Sequence, residues 1–145
     1  LWIFDRLTIP ISIGGAFVRI GNFFNSEILG KYTNSDWGVI FENRGETLPR
    51  HPAQLYESFC YIILFLILYR LYQSSNIRNK QGTLSGYFLI GLCSIRFMVE
   101  FVKESQGGIE SFLPGLSTGQ WLSIPFIILG LYLLLNKKGN IKSVN

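Results

Sequence analysis

The chain has 145 residues, of which 48% are hydrophobic and only 15% charged, with a mean hydropathy of +0.30 and a formal net charge of +4. That balance is too apolar and too weakly charged for a typical soluble domain and points to a membrane protein. The positive residues form no basic stripe interleaved with solvent-facing aromatics, which argues against nucleic acid as a partner.

Four apolar segments follow one another along the chain, at about residues 7–24, 55–72, 84–102 and 118–135. A bilayer core about 30 Å thick needs roughly 20 helical residues, so each is close to a full span. The expected fold is therefore all-α, a polytopic membrane bundle with about four transmembrane helices in one integral membrane domain over residues 1–145. The sequence opens "LWIFDRLT", without Met and without a cleavable leader pattern, so it is expected to be the later part of a longer chain. Cys60 and Cys93 lie inside apolar runs, away from any CxxC or Cys/His cluster. They read as small buried hydrophobes, with no disulfide, metal site or catalytic thiol.

Charge in the loops sets orientation. Residues 72–83 hold Arg78 and Lys80 and no acid, and the tail holds Lys137, Lys138 and Lys142 and no acid; both are expected on the cytoplasmic side. The loops at about 30–54 and 103–117 mix signs and are expected outside. The polar end of the first span, "RIGNFFNSE", the start of the second, "RHPAQLYE", and the end of the third, "RFMVEF", then meet at the outer leaflet.

The chemistry is expected there. If residues 19–26 are helical, Arg19, Asn22 and Ser26 share one stripe, with Asn25 beside it and Glu27 at its edge. An arginine fork suits a phosphate, and the glutamate can orient it or hold a glycerol hydroxyl. Arg96 and Glu100 stand i, i+4 on one face of the third span. Charges inside a membrane usually face the protein interior or a water-filled cavity and mark function, although a plain helix-joining pair is the alternative. Small residues on the same span, Gly86, Gly91 and Ser94, would let a neighbouring helix approach closely. In "RHPAQLYE", His51 suits an N-cap ahead of Pro52, with Gln54 as its capping-box partner. His51 is also the only histidine, and thus the only side chain whose ordinary pKa fits acid/base work near neutrality. Tyr56 is placed to bond a phosphate or ester carbonyl at headgroup depth, or to serve in an interfacial aromatic belt.

The motifs "RIGNFFNSEILG", "RHPAQLYE", "GYFLIGLCSIRFMVEFVKESQ" and "STGQWLSIP", in that order, resemble the prolipoprotein diacylglyceryl transferase family over about residues 9–134. The resemblance implies an enzyme of the bacterial inner membrane with its site toward the outer leaflet. It would move the diacylglyceryl group of phosphatidylglycerol onto the lipobox cysteine of a preprolipoprotein signal peptide. A thioether forms and glycerol phosphate leaves, without cofactor or metal, among membrane lipids. The family's essential arginine corresponds to Arg19 and its second to Arg96. Asn22, Asn25, Glu27 and Gly30 match the signature, Glu100 the acid after the second arginine, and His51, Gln54, Tyr56 and Glu57 the H-P-x-Q-L-Y-E motif. The attacking thiol belongs to the substrate, so Cys60 and Cys93 need no role. Val18 departs from the glycine that commonly precedes the signature arginine. The family's N-terminal half, with an H-G-G motif whose histidine has been proposed as the base, is not within these 145 residues, so this stretch alone is expected to be inactive. The competing readings are a non-catalytic anionic-lipid-binding or transporter fragment, and a structural subunit in which Arg96–Glu100 joins helices.

Overall fold

The computed structural model describes residues 1–103 and 115–136. Among these the regular structure is helical: α1 (Trp2–Phe24), a 3₁₀ turn (Glu42–Arg44), α2 (Ala53–Gln73), the single turn α3 (Ser75–Arg78), α4 (Thr83–Val99) and α5 (Thr118–Leu135). Isolated bridges join Tyr32 and Val39 to Arg50 within the long loop and Gly30 to Lys103. The all-α bundle expected from the apolar runs is what the chain forms. Three helices, α1, α2 and α5, are long and apolar enough to cross a membrane, and α4 is a shorter apolar helix. The expected outer loop at 103–117 lies largely outside the described residues, as does the lysine-bearing tail.

α5 has the bounds its apolar run suggests, and α2 is only slightly longer than expected. The other two differ. α1 begins at Trp2 rather than residue 7, taking in Asp5 and Arg6. Hydroxyls inside this helix are satisfied locally: Thr8 donates to the Asp5 carbonyl at 2.8 Å and Ser12 to the Thr8 carbonyl at 2.7 Å. α4 stops at Val99, short of residue 102, because the chain turns at Glu100 to bring Lys103 back toward the bundle.

The helices pack as two antiparallel hairpins. In α1 and α2, Arg19 meets Glu57, Ser58 Oγ donates to the Ala16 carbonyl at 3.0 Å, and Tyr61 lies against Gly15. In α4 and α5, Gly86 faces Gly130: a Cβ on Gly86 would come within 2.9 Å of the Leu134 side chain and 3.0 Å of the Gly130 carbonyl oxygen. Apolar side chains gain little from leaving lipid for protein, so close backbone approach at small residues is a main source of helix attraction. Gly91 does the same against Leu64 of α2. Leu64, Leu68 and Leu84 form the buried core, with Ile9, Phe88 and Leu92 packed around them.

One carboxylate joins the hairpins. Asp5, only 3% exposed, accepts the Gly82 amide at 2.7 Å, the Ser85 amide at 2.8 Å and the Ser85 hydroxyl at 2.6 Å. The N-cap of α4 is Gly82, which has no side chain to cap with. Asp5 supplies the cap from α1, and its charge faces the positive end of the α4 dipole. Asp5→Ala would strand two amides and a hydroxyl, and is expected to cost about 2–4 kcal/mol, given roughly 1–3 kcal/mol for a stranded buried group. Thermal unfolding in detergent reads this, and an unchanged melting temperature would remove the cap from the account.

Candidate active site

The end of the bundle where α1 finishes, α2 begins, α4 finishes and α5 begins holds most of the residues expected to be functional. At its centre is Glu57, whose side chain is fully buried. Arg19 Nε reaches Glu57 Oε2 at 2.6 Å, and Lys103 Nζ donates to Glu57 Oε1 at 2.8 Å. With its amide oriented to suit both neighbours, Asn22 accepts from Arg19 Nη1 at 3.0 Å and donates to Glu27 Oε2 at 3.1 Å. Gln54, also fully buried, donates to the Glu27 carbonyl at 2.6 Å. A single network thus runs from Gln54 through Glu27, Asn22, Arg19 and Glu57 to Lys103.

The Arg19–Asn22 stripe forms as its helical spacing suggests. Ser26 does not continue it, because α1 ends at Phe24 and the backbone turns sharply at Asn25. Ser26 and Ile28 both take left-handed conformations, φ 54° and 53°. Non-glycine residues rarely do this, and a β-branched one least of all. Between them, the Glu27 amide returns to the Asn22 carbonyl at 2.8 Å, which points Glu27 back along the helix end. Local strain of this kind clusters at binding and catalytic sites. Ser26 is held through its carbonyl, which accepts from Arg44 Nε at 2.9 Å. Ser26→Gly keeps that bond and relieves the left-handed strain, so it is expected to raise stability by about 0.5–1 kcal/mol. A lower melting temperature would show that the hydroxyl matters. Asn25 is exposed and stands outside the network.

The loop after α1 is clamped over this end. Lys31 N donates to the Val102 carbonyl at 2.7 Å and His51 N to the Lys31 carbonyl at 2.9 Å. A Cβ at Gly30 would run into the His51 carbonyl oxygen, so only glycine permits this crossing. Arg50, 4% exposed, donates to the Gly30 carbonyl at 3.0 Å, to Glu46 at 2.8 Å and to the Tyr32 hydroxyl at 2.9 Å. The Tyr32 hydroxyl, followed by Arg50, holds the Glu46 carboxyl below the usual carboxylate range.

The expected cap at the start of α2 is replaced by other contacts. Pro52 is the N-cap residue and no side chain caps the helix. Gln54 is drawn to the Glu27 carbonyl instead, and His51 Nδ1 lies 3.1 Å from the Tyr56 hydroxyl. Trp37 Nε1 donates to that same hydroxyl at 3.0 Å. An indole N–H can only donate, so the Tyr56 oxygen accepts from Trp37, and the His51 Nδ1 contact runs in the direction the imidazole tautomer sets. A capping box does form at α5, where Ser117 and Gln120 bond reciprocally. Gln120 also donates to the Phe97 carbonyl at 3.2 Å, fastening α5 to the end of α4.

Arg96 stands apart from the Glu57 triad. It is exposed, and no ion pair joins it to Glu100 among the described residues. The Glu100 carboxylate instead lies in the first turn of α5, where a Cβ on Gly119 would come within 2.8 Å of its Cδ and Oε1. The positive end of the α5 dipole favours an acid there. Arg96 opens onto a cleft of about 290 Å³ between α4 and α5, walled by Leu89, Leu92, Leu122 and Phe126, with Cys93 and Ser123. Both cysteines are free thiols.

Glu57 was visible in the sequence only as a motif position, and Lys103 only as a loop charge. The i, i+4 rule finds partners along one helix, whereas this ion-pair triad joins residues 38 and 46 apart (57−19 and 103−57) across three segments.

Residues 1–136 match the family described as prolipoprotein diacylglyceryl transferase. A relative from Tolumonas auensis, named phosphatidylglycerol–prolipoprotein diacylglyceryl transferase, is 46% identical over 136 residues, 93% of this chain and 51% of its own length. A relative of the same name from Bacteroides fragilis is 42% identical over 140 residues, covering 95% of this chain and 50% of its own. One from Chlamydia trachomatis reaches 51% over 116 residues, covering 78% and 42%. The chain spans about half the length of the curated relatives it matches. With that coverage, and with its signature arginine locked into a buried network, the chain belongs to the prolipoprotein diacylglyceryl transferase family.

Proposed function

We propose that this chain forms the lipid-phosphate half of a phosphatidylglycerol–prolipoprotein diacylglyceryl transferase in the bacterial inner membrane. Its four helices span the bilayer, its C-terminus is cytoplasmic and its site opens toward the outer leaflet. The substrates are phosphatidylglycerol and a preprolipoprotein whose lipobox cysteine supplies the thiol.

The observation that carries this reading is the charge at the site. Arg19, Glu57 and Lys103 together keep one net positive charge, and Arg96 adds a second. Glu27 is held off the Arg19 guanidinium by the intervening Asn22 amide. A phosphodiester carries one negative charge. As the substrate thiolate attacks the diacylglyceryl carbon, the C–O bond breaks and its electron pair leaves with glycerol phosphate, whose charge grows toward two. Cations placed where this charge grows fit the leaving group better than the bound lipid, and that difference is what accelerates a reaction. The apolar cleft beside Arg96 suits an acyl chain, with the headgroup at the arginine.

Asn22, Asn25, Glu27, Gln54, Tyr56 and Glu100 bind and orient the headgroup around these cations. His51, whose Nδ1 is engaged by Tyr56, presents Nε2 toward a headgroup oxygen. The thiol proton goes to a base, because the thiolate is the nucleophile. The test uses the full-length protein in membranes with labelled phosphatidylglycerol and a lipobox peptide. Thioether product is expected. Lipid flux without product would establish a transporter, and neither would favour a structural subunit.

A further inference from the structure

The end of the bundle opposite the Glu57 network carries a second group of cations. There α1 begins, α2 ends, α3 makes its single turn and α4 begins. Tyr72, in the last turn of α2, has an arginine beside it from each of two neighbouring elements. The guanidinium carbon of Arg6, on α1, lies 5.9 Å from the ring centroid, and that of Arg78, on α3, lies 5.7 Å from it. Arg6 also sits over the Trp2 ring, 3.8 Å from its centroid, and donates to the Trp2 carbonyl at 3.4 Å.

Local structure holds both cations there. Trp2 and Arg6 are i, i+4 on one face of α1. Arg78 is returned to Tyr72 by the α3 turn, where the Ile77 and Arg78 amides both donate to the Ser74 carbonyl, at 3.2 and 2.9 Å. Ile77 packs against the buried core and anchors that turn.

Neither arginine meets a carboxylate: no ion pair joins Arg6 or Arg78 among the described residues. Asp5 is the one acid in the segments that meet here, and both its oxygens are taken by Gly82 and Ser85. An aromatic ring holds a guanidinium without neutralising it, which leaves N–H donors open to an anion. Beside them, Ile3, Leu7 and Ile11 follow at i, i+4, i+8 on α1, all exposed. This apolar ridge runs from the cations toward the middle of a helix long and apolar enough to cross a membrane. A free phosphate would use the cations alone, whereas a phospholipid uses both the cations and the ridge.

We propose that Arg6, Tyr72 and Arg78 form a binding site for the phosphate of an anionic phospholipid, in the leaflet opposite the Glu57 network, with an acyl chain along Ile3, Leu7 and Ile11. The lipid bridges α1 to the α2–α3 junction and stabilises the folded bundle, because unfolding scatters its contacts. The site is separate from the candidate active site. It requires only that α1 and α2 cross a bilayer, so it stands or falls independently of the transferase reading.

Thermal unfolding of the full-length protein in neutral detergent, with and without added dioleoyl phosphatidic acid, tests this. The lipid is expected to raise the melting temperature by about 3–6 °C, and phosphatidylcholine at the same concentration to raise it far less. In Arg6→Gln/Arg78→Gln most of that rise should vanish, measured against the variant's own lipid-free value. In Arg96→Ala it should persist. Where the double variant unfolds on extraction, the single variants carry the same test, each losing part of the rise. A full rise in the arginine variants would overturn the proposal, as would an equal rise with phosphatidylcholine or loss of the rise in Arg96→Ala. The whole rise with inorganic phosphate alone would make this a free-anion site and overturn the lipid assignment.

Discussion

Arg96→Ala in the full-length protein is expected to abolish lipid transfer, by at least about 10²- to 10³-fold, while the protein remains folded in the membrane. The two halves of that statement have separate grounds. Arg96 is exposed and no carboxylate pairs with it among the described residues, so its removal strands no buried charge. What is lost, on the proposed reading, is an arginine charge that meets the leaving phosphate. Arg19→Ala should be equally inactive but less stable, because Arg19 is half of a buried pair with Glu57 and also holds Asn22. Transfer assays alongside thermal unfolding separate the cases. Near-normal transfer by Arg96→Ala would sink the phosphate-clamp role.

The two arginines also mark what the sequence alone can reveal. Apolar runs locate the helices because the bilayer demands long apolar segments, and α5 has the expected bounds. Arg19 and Asn22 were legible as a pair because helical spacing puts i and i+3 on one face. Arg96 and Glu100 share a face by the same rule, yet the acid turns to the α5 terminus, a partner that spacing along one helix cannot reveal. Asp5 lies within α1, ahead of the apolar run at about residues 7–24. Its partners, Gly82 and Ser85, are 77 and 80 residues away. Gln54 was misread as a cap for a similar reason. A local motif explained it well enough, and the competing acceptor, the Glu27 carbonyl, came from the loop after α1. Local pattern supplied the elements and the candidate residues, while the pairings between helices decide what each polar group does.

Glu57→Ala is where those pairings should cost most. Glu57 is 0% exposed and is the carboxylate shared by Arg19 and Lys103, themselves only 14% and 8% exposed. Removing it leaves two cations in a poorly solvated site with no counter-charge. Breaking a buried pair in this way typically costs about 3–5 kcal/mol, more than the pair itself contributes, because the remaining charge is stranded. Lys103 would be expected to turn outward, taking with it the turn that bonds Val102 to Lys31, and Arg19 would lose the partner that fixes its direction. The expected result is a marked fall in melting temperature and in transfer. Lys103→Met placed on Glu57→Ala should restore part of the stability by removing one stranded cation. It should restore little of the transfer, since Arg19 stays unanchored. Coupling between the two substitutions, measured as a double-mutant cycle in detergent, reads the shared carboxylate directly. Additive effects would mean that Glu57 serves Arg19 alone and that Lys103 is a bystander.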